Sequence, residues 1–211
     1  MTAPVVAVLD YGIGNLRSAQ KALEVCGADA RLTADPAFVA SADAVVLPGV
    51  GAFGACMQAL RGAGLEPVVH EAVASGRPFM GICVGMQMLF SGSDEDPHDT
   101  GLSVIDGQIR WITDELPRPQ MQWNQLALAQ PLDPMFTGLG AQPWVYFVHS
   151  LHGVPTDPSV VAATCDYGGT VNAAFRKGNV FATQFHPEKS GHDGLALLRN
   201  FVQLVAAGVP A

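Results

Sequence analysis

The sequence predicts a doubly wound α/β fold, with a sheet that is parallel through the first half of the chain and gains antiparallel strands in the second. Three observations predict it. As far as Phe90, apolar runs of strand length alternate with helix-period segments, the pattern of βαβ units covered on both faces. After that point, strand-like segments follow one another across short connections, with no helix until the C-terminal segment. The third is a strand that runs straight into a Gly-x-Cys-x-Gly turn, at the carboxyl end of the strand, where such folds bind ligands.

Val5–Leu9 is a continuous apolar run ending at Asp10-Tyr11-Gly12, as expected for a strand buried on both faces. Asn15–Val25 follows as a helix, with Leu16, Ala19, Ala22 and Leu23 on one face and Asn15 in the capping position. Ala44–Leu47 is the next strand, ending in the turn PGVGAFG (residues 48–54). A helix is expected over Glu66–Ala74, stopping at Gly76. Pro78–Ile82 reads as a short central strand and Val84–Phe90 as the helix after it. Residues 91–101, SGSDEDPHDTG, form a polar loop.

In the second half the strand candidates are Gln108–Thr113, Gln125–Ala129, Val145–Val148, Val160–Cys165, Val171–Arg176 and Val180–Gln184. Arg176-Lys177-Gly178-Asn179 has the composition of a hairpin turn. The closing helix carries Leu195, Leu198, Val202 and Val205 on one face, with Ser190 as its cap. No repeat, low-complexity tract or linker divides the 211 residues, so one domain over 1–211 is expected.

Composition narrows the function. Hydrophobic residues make up 49% of the chain, enough for a large core, and only 14% are charged. A net charge of −8 disfavours nucleic acid or an anionic membrane as partner, since both select a basic face. Cys26, Cys56, Cys83 and Cys165 form no CxxC pair, so neither a zinc site nor a thioredoxin motif is expected. Scattered cysteines in a chain of this size suit a reducing compartment, and the cytosol is the expected location. The N-terminal MTAPVVAVLDYG reads as a strand and lacks the basic start of a signal peptide. No apolar run reaches membrane-spanning length.

Strand, Gly81-Ile82-Cys83-Val84-Gly85, helix is the layout of a nucleophile elbow. Side chains at positions 81 and 85 would collide with neighbouring backbone, so glycine permits the bend and the bend exposes the sulfur. Amide N–H groups at the start of the following helix favour thiolate over thiol. The N–H of Val84 is placed to meet an oxyanion. Taken alone, the stretch also fits a buried cysteine in a glycine-rich turn. A thiol nucleophile needs a base, and of the six histidines His186 stands out, just past an apolar strand and followed by Pro187 and Glu188. In an extended segment, i and i+2 point the same way, so Glu188 would orient the imidazole of His186. Alone, that histidine reads rather as an exposed loop residue beside a helix cap.

Together, GICVGMQ (81–87) and QFHPEKSG (184–191) resemble the class I, triad-type glutamine amidotransferases. Within that family DYGIGN (10–15), PGVGAFG (48–54), MQWN (121–124) and YFVHS (146–150) are similar to the glutaminase subunits of imidazole glycerol phosphate synthases of histidine biosynthesis. The resemblance spans nearly the whole chain and implies a flavodoxin-like sheet of the class I amidotransferase type. It implies Cys83 as nucleophile, His186 as base and Glu188 as its partner, with the oxyanion hole formed by the N–H groups of Val84 and Gly51. Gln87 and Glu95 would hold the glutamine head, and main chain at Ser150 and Leu151 its carboxylate. Asn15 and Lys189 would lie toward a separate (β/α)8-barrel cyclase subunit, the heterodimer partner that receives the ammonia. Neither cofactor nor metal is implied. The amidotransferase component of an anthranilate or aminodeoxychorismate synthase is the nearest alternative. Two departures are visible: Gln122 where the family usually has glycine, and Leu151 where an aromatic residue is common. The first puts the conformation of the 121–124 loop in doubt.

Overall fold

The computed structural model describes residues 2–208. Its centre is an eight-stranded sheet in the order β2-β1-β3-β4-β13-β12-β11-β8. The parallel part comprises β1 (Val5–Leu9), β2 (Asp29–Thr33), β3 (Ala44–Gly49), β4 (Phe79–Cys83) and β13 (Val180–Thr183). The antiparallel extension comprises β12 (Thr170–Lys177), β11 (Val161–Asp166) and β8 (Ala127–Leu128). Strands 2-1-3-4 followed by β13 reproduce the flavodoxin-like order. Two small sheets complete the structure: β10 (Leu151–Pro155), β6 (Gly107–Trp111) and β5 (Gly92–Ser93) in one, and β7 (Gln120–Gln125) with β9 (Trp144–His149) in the other.

Apolar runs became central strands because both faces are covered. All residues of β3, β4 and β13 are buried. The faces are covered by α1 (Leu16–Val25), α2 (Pro36–Ser41), α3 (Phe53–Gly62), α4 (Glu66–Ala74) and the closing α6 (Gly191–Ala206). Edge-to-face pairs Phe90–Phe175, Phe136–Phe181 and Phe147–Phe185 fill the core on the antiparallel side. The hairpin between β12 and β13 turns at Gly178, whose φ of +55° suits glycine. No helix among the described residues is long and apolar enough to cross a membrane.

Several expectations change. The helix after Cys83, α5 (Val84–Gln87), has four residues and then tightens into i→i+3 bonds from Leu89 to Met86 and from Phe90 to Gln87. Residues 53–62, left without an element after the glycine turn, form α3. Strand β2 escaped notice because DARLT is a polar sheet edge, and β10 because LHGVP is short and contains Gly153, whose face lies against the Phe90 and Phe175 rings. The strand expected over Gln125–Ala129 shortens to β8, and β7 just before it was missed because Met121 and Trp123 face solvent and mask the alternation. Gln122 therefore sits in a regular ladder opposite Phe147 and not in a loop.

Neither expected cap uses its side chain on the helix. Asn15 Oδ1 accepts from the Ser18 hydroxyl at 2.8 Å. Ser190 donates its hydroxyl to the His186 carbonyl at 2.6 Å and accepts from Tyr146 N–H at 2.9 Å.

One ion pair locks the antiparallel side. Arg176 bonds Asp133 through two 2.7 Å contacts, its guanidinium lies 4.9 Å from the Phe181 ring centre, and the side chains are only 13% and 4% exposed. Asp133→Ala strands a buried cation, and the expected loss in a urea titration is about 3–5 kcal/mol. An Arg176→Met, Asp133→Leu double variant should recover most of it.

Candidate active site

The carboxyl ends of β1, β3, β4 and β13 open on one side of the sheet, and the conspicuous motifs all lie there. Cys83 ends β4 with φ 54° and ψ −116°, a strained conformation for a non-glycine residue, costing of the order of 1–3 kcal/mol. Close packing holds it there. A Cβ at Gly85 would fall inside the van der Waals shell of the Leu47 carbonyl, and one at Gly49 would lie 2.5 Å from Gly85 N and 2.9 Å from the Tyr11 hydroxyl. A Cβ at Gly81 would come 2.9 Å from Leu89 Cδ1 and 3.0 Å from Met86 Cα. The flanking glycines expected from the sequence are thus sterically required, and Gly49 is a third that the sequence did not reveal.

His186 is fixed by its own backbone. Its N–H donates to Tyr146 O at 3.1 Å, and its carbonyl accepts from Ser190 Oγ and Lys189 N–H. Pro187–Lys189 form a single 3₁₀ turn with Pro187 at its first position, so Glu188 reaches the imidazole across a turn and not along an extended strand. His186 Nδ1 lies 2.7 Å from Glu188 Oε1, and both side chains are 3% exposed. With Nδ1 occupied, Nε2 is the ring nitrogen left to serve the Cys83 sulfur, whose influence His186 feels. Burial acts to lower the His186 pKa, but hydrogen bonds and charge from Cys83 and Glu188 outweigh it and raise the pKa to about 10. His186 is therefore held as imidazolium beside the Cys83 sulfur before substrate arrives.

The cavity over the sulfur holds about 480 Å³ and is lined by Asn15, Val50, Gly51, Val84, Gln87, Glu95, Ser150, Leu151, His186 and Lys189. The sequence-predicted residues thus come together around one cavity. Below the 48–51 loop, the Tyr11 hydroxyl donates to Pro48 O at 2.6 Å and Cys56 Sγ donates to Val50 O at 3.3 Å. Since a trans peptide is planar, the Gly51 N–H points away from Cys56. Gly51 has φ +96°, which glycine adopts at little cost. Glu95 accepts the Phe53 N–H at 2.8 Å, so it also ties the start of α3. His149, adjoining Ser150, is buried, which is the main reason its pKa is pushed down to about 4, and its Nδ1 contacts the Leu151 carbonyl at 2.7 Å. Tyr11 and His149 lie inside DYGIGN and YFVHS, but those stretches did not mark them as supports for this cavity, and Cys56 carried no motif.

A family model described as Glutamine amidotransferase class-I matches residues 7–204. "Imidazole glycerol phosphate synthase subunit HisH" of a Synechococcus species is 49% identical over 100% of this chain and 99% of its own length. The protein of that name from Thermosynechococcus vestitus is 50% identical over 97% and 99%. The chain belongs to the class I glutamine amidotransferases, in the HisH family. A solved glutamine amidotransferase shares this amidotransferase's fold at 23% identity, with a TM-score of 0.75 over 95% of this chain and 98% of that one. PurLQS from Thermotoga maritima does so at 20% identity, with a TM-score of 0.76 and the same coverage.

Raised by Cys83 and Glu188, the His186 charge stabilises the fold fully below the unfolded pKa near 6.5, and that contribution is lost as pH climbs through about 10. Glu188→Gln removes one of the raising influences. The alkaline limb of glutamine hydrolysis should then move to lower pH and kcat should fall by about 10²–10⁴. A pH–rate profile of the variant against the parent checks both.

Proposed function

We propose that the Cys83 thiolate attacks the side-chain carbonyl carbon of glutamine, in a chain whose family membership makes it the glutaminase subunit of an imidazole glycerol phosphate synthase. The observation that carries this reading is the 2.7 Å His186–Glu188 contact beside a cysteine held in a strained elbow. As the C–S bond forms, negative charge moves to the amide oxygen, which accepts from the N–H groups of Val84 and Gly51. The His186 imidazolium gives its Nε2 proton to the departing nitrogen, the C–N bond breaks, and ammonia leaves behind a γ-glutamyl thioester. Neutral His186 then takes a proton from water as the water attacks the thioester. Glutamate departs, and thiolate and imidazolium are restored. Glu188 holds the ring tautomer and its charge. Gln87 and Glu95 hold the glutamine head, and main chain at Ser150 and Leu151 its carboxylate.

The ammonia passes to a (β/α)8-barrel cyclase subunit, where it combines with a phosphorylated ribulosyl aminoimidazole-carboxamide intermediate to yield imidazole glycerol phosphate and AICAR. A docking face adjoins the cavity. Paired residues across β7 and β9 share one side of that small sheet, where Met121, Trp123 and Trp144 are 62%, 48% and 50% exposed. Val148 on the same side lines the cavity. Aromatic and Met side chains left in water beside an active site are what a partner's interface core covers. Asn15 and Lys189 also line the cavity. Four free cysteines suit the cytosol as the setting.

Cys83→Ala should abolish glutamate release while leaving the fold and cyclase binding intact; a clean preparation that still hydrolyses glutamine refutes the mechanism. In the same assay the lone subunit should be slow and accelerate strongly when cyclase and its ligand are added. Trp123→Ala should weaken cyclase binding by tenfold or more in a titration, as expected for a large aromatic anchor. Unchanged affinity there would move the interface elsewhere.

A further inference from the structure

Cys83 has a second polar neighbour that the triad does not account for. Gln184 follows β13, two residues before His186, and is fully buried. Its Nε2 lies 3.8 Å from Cys83 Sγ, within reach of a hydrogen bond to sulfur. Its Oε1 accepts from Gln87 Nε2 at 3.0 Å, and the same Gln87 nitrogen lies 3.5 Å from the Leu151 carbonyl.

The orientation of these two amides follows from one atom whose identity is beyond doubt. The Leu151 carbonyl can only accept, so Gln87 must turn its NH2 toward it. That same NH2 faces Gln184, which must therefore present oxygen to Gln87 and NH2 to the sulfur. Reversing either amide would set two acceptors or two donors against each other in a buried place. The backbone N–H of Gln184 is tied to Ala173 O at 2.8 Å, which keeps the side chain at the end of the ladder.

We infer that Gln184 is a positioning residue for the nucleophile: its side-chain N–H donates to the Cys83 sulfur and, through Gln87, ties that sulfur to the Leu151 segment. A thiolate in a buried cavity gains from each donor it receives, and a donor fixed at its far end also fixes the sulfur's direction. The inference rests on Cys83 being the nucleophile, and it links two parts of the site that the proposed mechanism treats separately. Gln87, which meets substrate, and Cys83, which attacks it, lie at opposite ends of a single amide chain.

The test reads the sulfur itself, so that it stands apart from the test of turnover. Alkylation of Cys83 by iodoacetamide is followed by peptide mass analysis across pH in the parent chain, Gln184→Met and Gln184→Leu. Loss of a hydrogen bond to a charged group should slow Cys83 alkylation at neutral pH by about tenfold and displace the rate–pH curve to higher pH. KM for glutamine should change less than kcat. A folded Gln184→Met chain with an unchanged curve overturns the inference. If neither variant folds, the side-chain amide resonance of Gln184 in the parent chain decides. It should shift along the same pH curve as Cys83 alkylation, and a resonance indifferent to that titration overturns the inference.

Discussion

Everything at this site depends on how closely the end of β4 packs against the end of β3. Gly85 and Gly49 meet almost backbone to backbone, and only that contact lets Cys83 keep a positive φ with its sulfur facing the cavity. The strain is small beside the packing of a fully buried β3 and β4, which hold it without difficulty. A looser sheet would let the elbow relax and turn the sulfur away from His186. The elbow is thus set by the core's rigidity more than by the one-turn helix that follows it. Four helical residues supply less dipole at the sulfur than a full helix after Cys83 would.

Around this fixed sulfur the structure arranges groups from distant parts of the chain by backbone anchors. His186 is held by Tyr146 and Ser190, the 48–51 loop by Tyr11 and Cys56, and the 149–151 segment by His149. None of these supports carries out a chemical step in the proposed mechanism. They resemble the outer layer of a metal site: they direct the groups that act and leave them little freedom. Burial also has an electrical consequence. In so dry a place the influence of Cys83 and Glu188 on His186 is poorly screened, and the imidazole keeps its proton despite the cost of desolvation.

Much of this was legible in the sequence, for identifiable reasons. Buried parallel strands read as apolar runs, so β1, β3, β4 and β13 stood out. The glycines around Cys83 and the His-Pro-Glu run marked the chemistry, because few other needs impose such residues together. What stayed hidden lacked a local signature. Strand β7 carries Met121 and Trp123 outward, against the rule that apolar residues face in. Ser190 had the composition of a helix cap but spends its hydroxyl on His186. The pairing of His186 with Glu188 was anticipated by extended-strand spacing, whereas a 3₁₀ turn delivers it. Gln184 opens the QFHPEKSG stretch, yet nothing in that stretch tells that its amide will face a sulfur.

The central claim is that Cys83 attacks with help from an imidazole backed by a carboxylate. Its most direct test is covalent labelling with a glutamine analogue bearing a diazoketone in place of the amide, which alkylates a nucleophile only as a neighbouring acid supplies a proton. Peptide mass analysis should place the label on Cys83 and not on Cys26, Cys56 or Cys165, at a rate that drops by about a hundredfold or more in His186→Ala. Label on another cysteine, or equal rates with and without the imidazole, would contradict the account.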